Sequence, residues 1–214
     1  MRQSHRIMEE EIKVVTSEES EKKPLFEKKE AKFEWTLKNI FFSFLWLAPL
    51  LIIIDQVTKW AVVNAFNGVE GSSFVVIPEF FKIKLQYNKG SSFSLGANIP
   101  WMRFVFIAIS WGASAFMIWY WIKNLKKKDV LIDVVLALCV AGALGNAIDR
   151  TFYWEPVVGF SGVVDFLSFR LFGFYDFAVF NIADSCLVIG VLMLLVVVFA
   201  RDVIEKKGKT AKNG

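Results

Sequence analysis

The 214-residue sequence is short of the side chains that most often build nucleophilic and metal-dependent catalytic sites. It holds a single histidine, His5, in a charged N-terminal segment, and only two cysteines. One histidine so placed excludes both a Ser-His-Asp triad and a histidine-based metal site within the apolar part of the chain. Cys139 and Cys186 both fall in apolar runs, which predicts no disulfide framework. We therefore expect chemistry that uses neither a metal nor another cofactor.

Charge is scarce in the middle of the chain and concentrated at its ends. The first 39 residues hold nine Lys and Arg, the link 123–129 holds four, and the tail after Ala200 holds five. The formal net charge of +4 is therefore carried mainly by segments that flank apolar runs. Such flanks orient membrane proteins, so this charge predicts no nucleic-acid partner. No obligate protein partner is indicated either.

Long apolar runs dominate the rest of the sequence, which is 55% hydrophobic and contains 22 Phe and 8 Trp. About 20 apolar residues are needed to cross the hydrocarbon core of a bilayer. Four runs have about that length, at residues 40–65, 101–122, 130–149 and 178–200. The sequence therefore predicts an all-α polytopic membrane protein with four transmembrane helices in a domain spanning residues 39–200.

The distribution of positive charge predicts the orientation of these spans. The loops 66–100 and 150–177 carry only five Lys and Arg between them, and an even number of spans places both termini on one face. The positive-inside rule assigns that face to the cytoplasm. Trp119, Tyr120 and Trp121 would then form an aromatic belt at the inner interface. We expect a disordered charged tail at 1–38 and a basic cytoplasmic tail at 201–214.

The two outer loops differ in pattern. Residues 81–87 alternate apolar and polar side chains, and residues 73–77 are a second candidate strand ended by Pro78. Alternation of this kind is typical of a half-buried strand, so we predict a small extracytoplasmic β element in the loop 66–100. The loop 150–177 is rich in Phe, Gly and Val, and we predict that it forms a partly embedded outer cap.

An Asn-x-x-Asp pattern occurs in two of the apolar runs, at Asn146 to Asp149 and at Asn181 to Asp184. A carboxylate within a membrane span costs about 2.5–3.5 kcal/mol on insertion scales, so such residues are functional candidates. The third span ends at Asp149, and Asp184 would lie about six residues into the fourth, or about 9 Å along it. Both carboxylates are therefore predicted near the outer surface. Two close carboxylates that share a proton can act together as acid and base.

Structural explanations compete with this interpretation. Asp149 could simply mark the end of a span, and the two Asn-x-x-Asp pairs could lock two helices together. Asp55 and Lys59, spaced i and i+4, suit an ion pair within one helix. A proton-coupled carrier and a non-enzymatic assembly factor are the alternatives from other functional classes. Carriers, however, place such groups near the midplane at broken helices.

Five strings together make the chain resemble the lipoprotein signal peptidase family, also called signal peptidase II. The resemblance covers about residues 41–200, and the strings occur in the order of the family. They are Asp55-Gln56-Val57-Thr58-Lys59, Asn88-Lys89-Gly90-Ser91-Ser92-Phe93, Gly145-Asn146-Ala147-Ile148-Asp149-Arg150, Val163-Val164-Asp165-Phe166 and Phe180-Asn181-Ile182-Ala183-Asp184-Ser185.

The resemblance implies an aspartic endopeptidase of the bacterial cytoplasmic (inner) membrane. It would remove the signal peptide from prolipoproteins just before the diacylglyceryl-modified cysteine, at the outer face, in contact with membrane lipid. It implies that Asp149 and Asp184 are the catalytic pair. Nine further positions would shape the site or bind substrate: Asp55, Lys59, Asn88, Gly90, Asn146, Arg150, Asp165, Asn181 and Ala183.

Overall fold

A computed structural model describes residues 33–89, 101–152 and 162–213. Five α-helices and four strands follow one another in these segments. They are α1 (Leu37–Phe42), α2 (Leu47–Ala65), β1 (Ser73–Ile77), β2 (Phe81–Asn88), α3 (Met102–Asn124), α4 (Val130–Thr151), β3 (Val163–Leu171), β4 (Tyr175–Asp176) and α5 (Ile182–Asn213). A short 3₁₀ turn, Leu125–Lys127, connects α3 to α4.

Four of these helices have the length and apolar composition needed to cross a membrane, which confirms the predicted number of spans. The segments are Leu47–Ala65, Phe104–Lys127, Val130–Thr151 and Ile182–Lys209. Helix α4 is the central one, because it packs against α2, α3 and α5 and carries more buried residues than any other helix that the structure describes. Its Asp133 and Asp149 side chains are consequently surrounded by protein.

The first and last spans begin later than predicted. The first apolar run is broken after α1, where Phe44 adopts a left-handed φ of 54° and α2 starts at Leu47. The last helix starts at Ile182 because Phe180 pairs with β3, where Leu167 N donates to Phe180 O at 2.8 Å. Asp184 therefore lies in the first turn of α5, and the prediction that it lies six residues into the span is wrong.

The strands form one antiparallel sheet in the order β1-β2-β3-β4. The two strands expected in the first outer loop are confirmed. The expectation of a cap at 150–177 needs correction, because β3 pairs with β2 along the register Phe81↔Phe169 to Asn88↔Val163 and completes the sheet. Buried and exposed residues do not alternate strictly along β3, because both faces of the strand are covered at Val163–Phe166. Residues 153–161 of the expected cap lie outside the described residues.

Two apolar clusters hold the sheet and the helices together. Val62 and Val63 at the end of α2 pack against Leu85 of β2 and against Val164 and Phe166 of β3. This cluster fixes the sheet on the end of the helix bundle.

A second cluster closes the opposite end of the bundle, around Ala48, Leu136 and Trp121. Trp121 is only 3% exposed and its indole N–H donates to Asp133 Oδ1 at 2.9 Å. It therefore belongs to the core rather than to the predicted aromatic belt, while Trp119 and Tyr120 remain exposed.

Close contact between α4 and α5 depends on a glycine. A Cβ atom added at Gly142 would lie 2.5 Å from Ala183 O and 2.8 Å from Leu187 N. Backbone atoms cannot yield as a flexible side chain can. Gly142→Ala should therefore lower the stability by about 1–3 kcal/mol through overpacking.

The matched control is Gly112→Ala in α3, where the added Cβ would meet no atom within 4 Å. Alanine also favours a helix by about 1 kcal/mol over glycine. The measurement is the thermal unfolding midpoint of both variants in detergent. Equal midpoints for the two variants would contradict the close packing of α4 on α5.

Candidate active site

Lys59 is the buried charge around which the candidate site is built. Its ammonium lies 2.8 Å from Asp55 Oδ2 and 2.8 Å from Asp149 Oδ2, and it donates to Asn146 Oδ1 at 3.2 Å. Lysine has three N–H donors, and each has an acceptor here. Its side chain is fully buried, as a cation can be when it is paired and hydrogen-bonded. The predicted pair within α2 is present and extends to α4.

Asp149 is completely enclosed by donors. Its Oδ1 accepts from Gln56 Nε2 at 2.9 Å, and its Oδ2 accepts from the backbone N–H of Val164 at 3.1 Å as well as from Lys59. The residue has no solvent exposure. These partners suit an ionised carboxylate, which only accepts hydrogen bonds, and they leave little room for a reacting water molecule.

Asp55 connects the same cation to the start of α5. Its Oδ1 accepts from the backbone N–H of Ala183 at 2.8 Å. That N–H belongs to the first turn of a helix, where it has no partner within the helix. Asp55 therefore satisfies a helix terminus and Lys59 at once. A Cβ atom at Gly145 would lie 2.7 Å from Asp55 Oδ2, so glycine is needed there for the close approach.

Asn181 and Asp184 form a reciprocal cap at the start of α5. Asp184 N donates to Asn181 Oδ1 at 2.8 Å, and Asn181 N donates to Asp184 Oδ2 at 3.1 Å. This is the capping-box arrangement, with Asn at the N-cap position and Asp three residues later. The two Asn-x-x-Asp patterns therefore differ, because the pair in α4 lies inside a helix. Asp184 is half-buried, in contrast to Asp149.

Two asparagine amides connect Asp184 to a fourth carboxylate, that of Asp165 in β3. Asn146 Nδ2 donates to Asp184 Oδ1 at 2.7 Å. Asn181 Nδ2 lies 2.7 Å from Asp165 Oδ1 and 3.0 Å from Asn146 Oδ1. Asp165 and Asp184 are thus positioned by the same amide groups. Among the residues that the structure describes, no hydrogen bond joins Asp149 directly to Asp184.

Asp165 lines an open cavity of about 260 Å³ together with Asn88 and Gln86. The pKa of Asp165 is raised to about 7, first by burial and second by the nearby Asp184 carboxylate. Hydrogen bonds from Asn88 and Asn181 and the charge of Lys59 act in the opposite direction. A carboxyl group with a pKa near 7 can hold or release a proton at neutral pH, which suits general acid–base chemistry.

Arg150 adds a second cation at the edge of the site. Its Nη1 donates to Asn146 O at 3.5 Å, and its guanidinium lies 5.7 Å from the centre of the Phe106 ring. Its charge acts on the carboxylates of Asp184, Asp149 and Asp165. The site therefore holds two cations among four carboxyl groups.

Ten of the eleven residues predicted from the sequence converge here, and the eleventh, Gly90, lies outside the described residues. Sequence reasoning missed Gln56, whose amide reaches Asp149, Asp55 and Gly145 O. Its position between Asp55 and Lys59 in one motif was the available signal. The described segments contain no group of three His, Cys, Asp or Glu side chains arranged to hold a metal. The expectation of metal-free chemistry stays a prediction.

Comparison with known proteins identifies relatives over most of the chain. Residues 47–200 match the model of the family described as signal peptidase (SPase) II. A lipoprotein signal peptidase of Pseudomonas syringae pv. tomato is 34% identical over 80% of this chain and 92% of its own length. One of Bacillus pumilus is 37% identical over 70% of this chain and 88% of its own length.

Two solved structures are also similar to this chain. A bacterial membrane enzyme solved at 2.3 Å resolution superposes with a TM-score of 0.62 at 31% identity, covering 79% of this chain and 92% of the other. A second, solved at 1.9 Å resolution, gives a TM-score of 0.60 at 32% identity, covering 78% of this chain and 96% of the other. This chain is accordingly a bacterial membrane protein.

The geometry of Lys59 leads to a prediction about stability. Lys59→Met removes the cation between Asp55 and Asp149 and leaves two buried carboxylates without a counterion. Breaking a buried ion pair in this way costs about 3–5 kcal/mol. The thermal midpoint in detergent should fall sharply, and adding Asp149→Asn should restore part of the loss because it removes one uncompensated charge.

Lys209→Met is the matched control, since Lys209 pairs with Glu205 at the same i,i+4 spacing but on an exposed surface. Exposed helical pairs contribute only about 0.3–0.5 kcal/mol. A Lys59→Met protein as stable as the Lys209→Met protein would show that the buried cation does not hold the site together.

Proposed function

The chain belongs to the signal peptidase II family, and we propose that it carries out the reaction of that family with Asp165 and Asp184 as its acid–base pair. It is an aspartic endopeptidase that removes the signal peptide from prolipoproteins. We further propose that cleavage occurs just before a diacylglyceryl-modified cysteine. The observation that carries the choice of residues is the difference between the environments of Asp149 and Asp165.

Asp149 was the sequence-based candidate, and its contacts argue for a structural role instead. Its oxygens are occupied by Lys59, Gln56 and the Val164 N–H, and it is fully buried. Asp165 is also buried, but it lines the open cavity, and its pKa is raised to about 7 by burial first and by the nearby Asp184 carboxylate second. Two carboxyl groups whose environments differ are the usual basis for dividing acid and base roles. We therefore assign the second catalytic role to Asp165 and revise the assignment of Asp149.

The proposed reaction is hydrolysis of one peptide bond by water. Asp184, as the carboxylate, takes a proton from water while the water oxygen attacks the scissile carbonyl carbon. Asp165, in its protonated form, donates a hydrogen bond to the carbonyl oxygen, where negative charge develops. The C–N bond then breaks, and a proton passes to the leaving amine nitrogen. The products are the carboxyl terminus of the signal peptide and the free amine of the modified cysteine.

The raised pKa supports Asp165 as the member that starts protonated, because it keeps a proton at neutral pH more readily than an ordinary carboxyl does. Asp184 accepts hydrogen bonds from the Asn146 amide and the Asn181 N–H, which favour a negative charge at the start of α5.

We also propose that both termini lie in the cytoplasm and that the sheet lies on the outer face of the cytoplasmic membrane. The Lys and Arg residues of the two terminal segments and the Lys-rich 3₁₀ turn between α3 and α4 support this orientation. The catalytic carboxyl groups then lie where the spans meet the sheet. A substrate whose modified cysteine is held in the outer leaflet by its lipid would present its scissile bond at that depth.

The test compares three variants, Asp165→Asn, Asp184→Asn and Asp149→Asn, on a diacylglyceryl-modified prolipoprotein in detergent. Loss of a general acid or base lowers the rate by about 10²–10⁴-fold, so Asp165→Asn and Asp184→Asn should cleave at least about 100-fold more slowly. Both should remain folded, since Asn keeps the shape of Asp. Asp149→Asn should lose stability because Lys59 loses a counterion, but the folded fraction should still cleave.

The thermal midpoint of each variant, measured in the same detergent, separates loss of chemistry from loss of fold. Cleavage by Asp165→Asn at the wild-type rate would contradict the assignment of a catalytic role to Asp165. So would an Asp149→Asn protein that is as stable as wild type yet inactive.

A further inference from the structure

One face of β2 forms a basic groove that leads away from Asp165. Side chains alternate along a strand, so Lys82, Lys84, Gln86 and Asn88 lie on one face, while Leu85 on the other face packs against α2. These four residues line the cavity of about 260 Å³ together with Asp165, and residues 176–179 form its opposite wall. We use the term basic groove for this cavity.

The two lysines supply the charge of the basic groove. Within the part of the chain that the structure describes, neither the Lys82 nor the Lys84 ammonium group forms a hydrogen bond or an ion pair. Asp176 on the opposite wall is already engaged, because Arg170 Nε donates to its Oδ1 at 2.9 Å and Arg170 Nη2 donates to its Oδ2 at 3.2 Å. The hydrogen bonds from Arg170 and, less strongly, the charges of Lys82 and Lys84 lower the pKa of Asp176. The groove therefore holds two ammonium groups that act on Asp176 through space but that no neighbouring carboxylate hydrogen-bonds.

We propose that the basic groove binds the part of the substrate that follows the cleaved bond and favours an acidic side chain there. This inference rests on the proposed function. The signal peptide that precedes the bond has an apolar core, which two ammonium groups do not suit. The segment after the bond has no such constraint and leaves the site on the side of the sheet.

The spacing of the lysines sets the substrate positions concerned. Gln86 faces Asp165 in the register of β2 and β3, and Lys84 is two residues farther along β2. Strands rise about 3.3 Å per residue, so Lys84 is about 7 Å and Lys82 about 13 Å from the position of Gln86 along the strand. An extended substrate has a similar rise. An acidic residue two positions after the cleaved bond would reach Lys84, and one four positions after it would reach Lys82.

The experiment compares two diacylglyceryl-modified peptides that differ only in having Glu or Gln at the second and fourth positions after the cleaved bond. The measured quantity is the ratio of kcat/KM for the Glu peptide to that for the Gln peptide. It is determined for the wild type, for Lys82→Gln/Lys84→Gln and for Lys127→Gln, a control at an exposed lysine on the far end of the bundle. Exposed charge pairs contribute up to about 1 kcal/mol, which predicts a wild-type ratio of about threefold to fivefold.

The proposal predicts that this ratio falls toward one in Lys82→Gln/Lys84→Gln, persists in Lys127→Gln and weakens in the wild type as salt is added. A wild-type ratio of one, or a ratio that the double substitution leaves intact, overturns it. The double variant could instead differ from the wild type only in its response to anionic lipid in the detergent micelle. That result would also overturn the proposal and would assign the two lysines to binding lipid headgroups. Failure of the wild type to cleave either peptide would instead overturn the proposed function itself.

Discussion

The contact between Lys59 and its two buried carboxylates is the interaction on which the site depends. Lys59 and Asp55 belong to α2, Asp149 belongs to α4, and Asp149 in turn binds the backbone of β3 at Val164. Asp55 reaches α5 through Ala183 N. One buried cation thus fixes the relative positions of three spans and one strand. Burying any one of these charges without its partners would be costly. The ion pairs therefore hold each group in place.

This network allows the remaining carboxyl groups to be reactive. Asn146 contacts Lys59 through its oxygen and Asp184 through its nitrogen, so it transmits the position of the buried charges to the open side of the site. Asn181 donates to Asp165 through its amide nitrogen and accepts from Asp184 N through its amide oxygen. It therefore positions Asp165 while it caps α5. The carboxyl groups of the site therefore divide by environment. Asp55 and Asp149 are paired with Lys59, whereas Asp165 lines an open cavity and Asp184 is held close to it by the Asn146 and Asn181 amides.

Long apolar runs and alternation are local signals, and they predicted the spans and the first two strands. Most residues of the site were implied instead by the resemblance of five short strings to a known family. The sequence could not show which of the carboxylates are enclosed by partners and which are not. The two Asn-x-x-Asp strings look equivalent as letters, but one is a turn inside α4 and the other is the cap of α5. Asp165 lies in a segment that was predicted to be a cap, since its strand is recognisable only from its pairing with β2. The late start of α5 likewise depends on the pairing of Phe180 with Leu167, a long-range contact.

The most direct test of this division is to titrate the protonated carboxyl groups by infrared difference spectroscopy, in wild type and in the single Asp→Asn variants. The pKa of Asp165 is raised to about 7, so one carboxyl band should disappear as the pH rises through about 7. That band should be missing in Asp165→Asn, should persist in Asp149→Asn and should move to lower pH in Asp184→Asn, where the like charge that raises the pKa is gone. A band that survives in Asp165→Asn but vanishes in Asp149→Asn would contradict the account and return the catalytic role to Asp149.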